Sequence, residues 1–137
     1  MRPVILASTS DMRKQLLLRL LPQVSVMAPD CDVTPRAHEH PRDLALRLAI
    51  DKAASLKTQL PDHLIIGSDQ VATLDDQLII GKPMTQAGAI AQLQAASNRI
   101  QTFYTSLCLL NTHTGTMQTE VVVTQVHFRM LSDDLIL

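Results

Sequence analysis

Aromatic side chains are nearly absent: Phe103, Tyr104 and Phe128 stand alone, and there is no tryptophan. The stacking platforms of nucleic-acid-binding modules are therefore scarce, which argues against a nucleic acid polymer as partner. Leu, Ile, Val, Ala and Met must fill the interior instead. Charge of one sign is lacking too. The formal net charge is -1, so no global field draws the chain to nucleic acid or membrane. Any polyanion has to be held by a local cluster of basic residues. Only Cys31 and Cys108 are present, far apart, with neither a CxxC pair nor metal-ligand spacing. They read as two buried or spare thiols of a reducing cytoplasm. The five histidines show no zinc pattern, and His38 and His40, which bracket Glu39 in a loop, read as solvent-facing. The apolar run Pro3–Ala7 is too short for a signal peptide. No stretch is long enough to span a bilayer. Walker A and G-x-G-x-x-G motifs are both missing, which counts against kinase and dinucleotide-binding readings.

What remains is a chain of 137 residues with an apolar fraction of 46%, enough for one domain with a real core. Val4–Ala7 reads as a strand, Ser8-Thr9-Ser10 as a polar turn, and Leu16, Leu17, Leu20 and Leu21 as the stripe of a helix capped by Thr9 or Ser10 and ended by Pro22. Val24–Ala28 is a second strand. A polar loop, 29–40, leads to Pro41, which suits the first turn of the next helix. Leu64–Leu74 is a strand expected to be broken by Gly67-Ser68-Asp69-Gln70. Asp75-Asp76 turns it into a hairpin with Gln77–Ile80. Thr85 caps an Ala- and Gln-rich helix reaching about Ser97. Ile100–Asn111 and Met117–Met130 form a second hairpin through residues 112–116. Ser132-Asp133-Asp134 resembles a helix start just before the end at Leu137. The order predicts an α/β fold with a mixed sheet flanked by helices.

Four charged groups stand at element ends. Arg13 follows the Ser8-Thr9-Ser10 turn, where a helix N-terminus and hydroxyls suit an anion. Lys52 falls near the centre of the stripe made by Leu44, Ala45, Leu48, Ala49, Ala53 and Leu56. A lysine is almost never fully buried without a partner. Such a residue either snorkels or aims a cation into a cleft. Asp69 lies inside the most apolar strand, where a carboxylate is costly without a cation, a metal or dense hydrogen bonding. Lys82 sits between Gly81 and Pro83. Two lysines, one arginine, one carboxylate and the hydroxyl-bearing Ser8-Thr9-Ser10 cap suit a triphosphate site, in which Asp69 offers a divalent metal a hard oxygen. Each group also has a bland reading: a common cap, a surface cation, a bulge aspartate, a hairpin exit.

Together these segments resemble the Maf family of nucleotide pyrophosphatases across nearly the whole chain. The resemblance is carried by Leu6-Ala7-Ser8-Thr9-Ser10 with Arg13, Arg47-Leu48-Ala49 with Lys52-Ala53, Ile65-Ile66-Gly67-Ser68-Asp69-Gln70-Val71, Gly81-Lys82-Pro83, Thr102-Phe103-Tyr104-Thr105 and Val126-His127-Phe128-Arg129. Ser68-Asp69-Gln70, Thr34-Pro35-Arg36, Pro61-Asp62-His63-Leu64 and Gln118-Thr119-Glu120-Val121 are similar to the branch that hydrolyses 7-methyl-GTP. The resemblance implies a Maf/ITPase-like sheet and hydrolysis between the α and β phosphates. By it Asp69 is the catalytic base and a metal ligand, Ser8, Arg13, Lys52 and Lys82 bind phosphate, and Gln70 and Met12 stand where the base is selected. Magnesium or manganese, a cytoplasmic location and a homodimer are implied as well.

The chain departs from the family pattern at Asp11, Met12, Val33, Asn98 and Ser106; the last two replace glycines, and Val33 replaces an acid. The family domain also continues beyond Leu131-Ser132, so residues 1–137 are expected to be a single Maf-like domain incomplete at its C-terminus. Such an end is expected to leave apolar sheet faces uncovered. The alternative to an enzyme is a truncated, inactive nucleotide-binding or interaction module.

Overall fold

The computed structural model describes residues 3–75, 78–80 and 85–132. Its elements are β1 (Val4–Ala7), α1 (Asp11–Leu18), β2 (Ser25–Met27), α2 (Pro41–Ala54), β3 (Leu64–Leu74), β4 (Leu78–Ile80), α3 (Gln86–Ala96), β5 (Ile100–Asn111) and β6 (Met117–His127). The strands form one mixed sheet in the order β2-β1-β3-β5-β6, with β4 alongside β3. β1 runs parallel to β2 and β3, and the remaining pairs are antiparallel. This is the expected α/β architecture: six strands and three helices among the described residues.

The helices start where their caps dictate. Ser10 Oγ accepts from the Arg13 N–H at 3.3 Å, and Thr85 Oγ1 accepts from the Gly88 N–H at 3.0 Å. Pro41 occupies the first turn of α2, and His40 Nδ1 accepts from the Arg42 N–H at 3.0 Å. His40 is solvent-facing as expected, yet it caps a helix and lies edge-on to Tyr104.

One face of the sheet is covered by α2. Ala45, Ala49 and Ala53, four residues apart, are completely buried, and their small side chains let the helix sit close on β3. Ala49 and Ala53 join Ile5, Ala7, Leu56, Leu60, Ile65, Cys108 and Leu110 in one core cluster. Ala45 joins Leu44, Leu48, Val71 and Tyr104 in a second. The opposite face is covered by α1 at one end and α3 at the other. Leu16 and Leu17 of α1, with Leu20 just beyond its end, overlie Leu6, Ile66 and Leu107 but stay incompletely covered: no α1 residue is buried, and Leu20 is 80% exposed.

Three expectations are corrected. α1 ends at Leu18, ahead of Pro22, and β6 ends at His127 rather than Met130. β3 is not broken at Gly67–Gln70 but runs on for eleven residues. Pairing with β5 is continuous from Leu64↔Asn111 to Leu74↔Gln101, so the tertiary ladder overrides the weak strand preference of Gly, Ser and Asp. The expected turn residue Asp76, the Gly81-Lys82-Pro83 segment and the start of a helix at Asp133-Asp134 lie outside the described residues.

Candidate active site

β1 stops at Ala7, paired with Gly67, and β4 joins β3 only from Ala72 onward. Between them, Ser68–Val71 has no strand on that edge among the described residues. This interruption opens a cleft of about 550 Å³ in which the two faces of the sheet communicate. Successive side chains of a strand point to opposite faces, so Asp69 projects toward α2 and Gln70 toward α1 and α3. Side chains from both layers meet at the gap.

Lys52 comes from α2. Its Nζ donates to Asp69 Oδ1 at 2.8 Å, with the two side chains 15% and 16% exposed. The lysine in an apolar stripe and the acid in an apolar strand are therefore each other's partner. Arg13 comes from α1 on the other face, and its Nη1 donates to the Ser68 carbonyl at 3.2 Å. Ser8 is buried, and its Oγ accepts from the Ser10 N–H at 3.0 Å, which shapes the turn into α1. Ser8, Thr9, Ser10, Arg13, Lys52, Asp69 and Gln70 all line the cleft. Gln70 Nε2 donates to Thr105 Oγ1 at 3.1 Å. Met12 is not brought in: it is 74% exposed and is not part of the lining. Asp11, the first residue of α1, is likewise exposed and outside it. Lys82 lies outside the described residues.

Two other lining residues come from the loop after β2. Val33 faces the cleft where an acid was expected from the family pattern. Burial pushes the Cys31 thiol up, against the opposing pull of Lys52, so it stays protonated and is a poor nucleophile at neutral pH. Among the described residues, no three His, Cys, Asp or Glu side chains converge to hold a metal. Asp69 alone supplies one carboxylate. That donor set fits a hard ion of the magnesium type, which needs only one or two carboxylates from a protein, rather than one caged by protein.

The family model described as Maf-like protein matches residues 3–137. This chain belongs to the Maf family. The fold also resembles the Ham1 protein of Staphylococcus aureus, with a TM-score of 0.62 at 12% identity over 92% of this chain and 71% of that one. A HAM1 protein from Coxiella burnetii gives 0.62 at 18% identity over 93% and 73%. At such identities the likeness shows the fold alone.

The two positions where the Maf pattern has glycine acquire local explanations. Asn98 has a φ of 57°, the left-handed region that asparagine tolerates better than most residues. Ser106 is completely buried opposite Asp69. Its Oγ accepts from the Asp69 N–H at 3.0 Å and donates to the Asp69 carbonyl at 3.1 Å, while Ser68 Oγ donates to the Ser106 carbonyl at 2.7 Å. The backbone under the acid is thus pinned by a side chain that the sequence marks only as a departure from the family glycine. Gln92, Gln101 and Phe103 also line the cleft, at the end away from Arg13 and Lys52. Strand alternation puts Gln101, Phe103 and Thr105 on one face, but only the β3–β5 register carries that face to Gln70.

Proposed function

We propose that this chain is a nucleotide pyrophosphatase acting on 7-methyl-GTP, giving 7-methyl-GMP and pyrophosphate. Family membership supports the nucleotide pyrophosphatase class. The observation that carries the reading is the Lys52–Asp69 pair beside Arg13 in one cleft. Cations from opposite faces of the sheet can hold the phosphates, and the carboxylate is the one acid lining the cleft among the described residues.

In the reaction, a water oxygen bonds to the α-phosphorus while Asp69 takes its proton. The bond to the bridging oxygen breaks, and pyrophosphate leaves. Lys52 and Arg13 screen the charge that the phosphate oxygens carry. Ser8 holds the turn from which α1 presents its N-terminus to the same anion. Asp69 is the residue that would hold a magnesium or manganese ion, and such an ion would supply charge neutralisation. The 7-methyl-GTP branch is supported by the Ser68-Asp69-Gln70 form, and a cytoplasmic nucleotide pool is the matching location.

The test is pyrophosphate release from 7-methyl-GTP, GTP, dTTP and UTP with magnesium or manganese. Release is expected to be fastest with 7-methyl-GTP. Rates equal to buffer for every substrate sink the enzyme reading and leave a binding module. Asp69→Asn is expected to cut turnover by about 100-fold or more, the usual weight of a general base, with little change in thermal midpoint. A collapse in stability instead would make Asp69 structural.

A further inference from the structure

Among the described residues the cleft is chemically polarised. At one end stand Arg13, Lys52 and the serine turn. At the other stand two amides, Gln92 and Gln101, and the ring of Phe103. That far end opens into a second cavity of about 210 Å³ beneath α3, which shares Ile80, Gln92 and Gln101 with the cleft and, among the described residues, is otherwise lined by Ala89, Leu93 and Ala96. The recess is therefore an apolar chamber whose mouth carries two amides and, on the cleft side, a ring.

The sheet register fixes its offset from the acid along the strands; Asp69 projects to the other face and meets this side only across the gap beside β3. Asp69 pairs with Ser106 and Ala72 with Phe103, three residues further along, about 10 Å on the strand rise. Ala72 leaves only a methyl beside the ring. Gln101 pairs with Leu74, one step deeper on the same face. An elongated ligand that is anionic at one end and flat at the other matches this order of groups.

We propose that the recess under α3 is a base subsite: Phe103 stacks on the heteroaromatic ring of the bound nucleotide, and Gln92 and Gln101 bond its edge. This rests on the nucleotide reading above. A side-chain amide carries a donor and an acceptor side by side, which suits a purine edge where the two alternate. The apolar chamber accepts a ring methyl group, and a methylated cationic ring gains further from the Phe103 face. Base selection then belongs to β5 and α3 rather than to the exposed Met12.

Binding without turnover separates the subsite from the phosphate site. Affinity for 7-methyl-GTP, GTP and inorganic tripolyphosphate is measured by calorimetry in EDTA. Phe103→Leu is expected to weaken 7-methyl-GTP about tenfold or more, the range of a lost base stack, and to leave tripolyphosphate unchanged. Phe103→Trp keeps a ring and is expected to retain the nucleotide, which a mere packing defect would not do. Gln101→Ala is expected to weaken both nucleotides and to spare tripolyphosphate. If tripolyphosphate binds but the variants leave nucleotide affinity unaltered, the subsite is wrong and the phosphate site stands. Should the variants weaken tripolyphosphate equally, the subsite is also wrong. If neither tripolyphosphate nor nucleotide binds the wild-type chain, both readings fall.

Discussion

Gly67 shows how single atoms set the site. A Cβ built there would lie 2.0 Å from the Ala49 carbonyl oxygen and 3.0 Å from the Ala53 Cβ. The missing side chain, together with the alanine stripe of α2, lets helix and strand approach closely. That approach brings Lys52 within reach of Asp69, two residues further on. Gly67→Ala is expected to destabilise the fold by about 3 kcal/mol or more, because the obstacle is backbone and cannot rotate away. Urea denaturation reads this directly, and an unchanged midpoint would show that α2 does not pack as described. At this scale the sequence was only partly informative. The helical period put Lys52 on the core side, and the cost of an acid in an apolar strand flagged Asp69. Their pairing, the need for Gly67 and the bonds from Ser106 all depend on which elements dock, and no local pattern encodes that.

Between elements, the loop before α2 is tied down by one arginine. Arg47 Nε meets Glu39 Oε2 at 2.7 Å, its Nη1 meets Asp51 Oδ2 at 3.2 Å, and its Nη2 donates to the Thr34 carbonyl at 3.0 Å. The Arg36 N–H also donates to Glu39. The guanidinium first and this N–H second hold the Glu39 carboxyl down at about 2. A folded-state pKa below the unfolded one stabilises fully above the ordinary glutamate value of about 4.3. That contribution is lost as the pH falls from there toward about 2. Glu39→Gln is expected to lower stability at neutral pH and to flatten its pH dependence across this window. Thermal midpoints of the two proteins at pH 7 and pH 3 check it; parallel curves would mean that the pair carries no linkage. The same loop brings Cys31 and Val33 to the cleft, so loosening it should also weaken nucleotide binding. Element order and the ends of β5 were readable from alternation and turn residues. The continuity of β3 was not, since Gly-Ser-Asp-Gln reads as a break until β5 is placed beside it.

Across the whole molecule the covering is uneven. Among the described residues β6 is the last strand of the sheet on its side, and ten of its eleven residues are exposed. Val122 is 56% exposed and Val123 51%. The edge is lightly defended: β6 has no Pro, Gly or Lys, Glu120 is its one acid, and its register with β5 runs without a bulge. An edge of this kind pairs with another strand, and a second copy of β6 is a suitable one. Antiparallel pairing of identical strands about a two-fold axis is self-complementary. All eleven residues of Met117–His127 pair when the axis passes through Val122. Val121 then faces Val123 of the other copy, and Glu120 faces Thr124, so the carboxylates do not oppose each other. A homodimer with this register is expected. Val122→Cys should cross-link to itself under mild oxidation because each copy faces its own mate, whereas Val126→Cys, opposite Gln118, should not. Val122→Lys places two ammonium groups side by side and should shift sedimentation to the monomer. Thr124→Lys, which meets Glu120 across the axis, should leave the dimer intact or tighter. A wild-type chain that sediments as a monomer at every concentration, or a Val126→Cys variant that cross-links as fast as Val122→Cys, would refute this pairing.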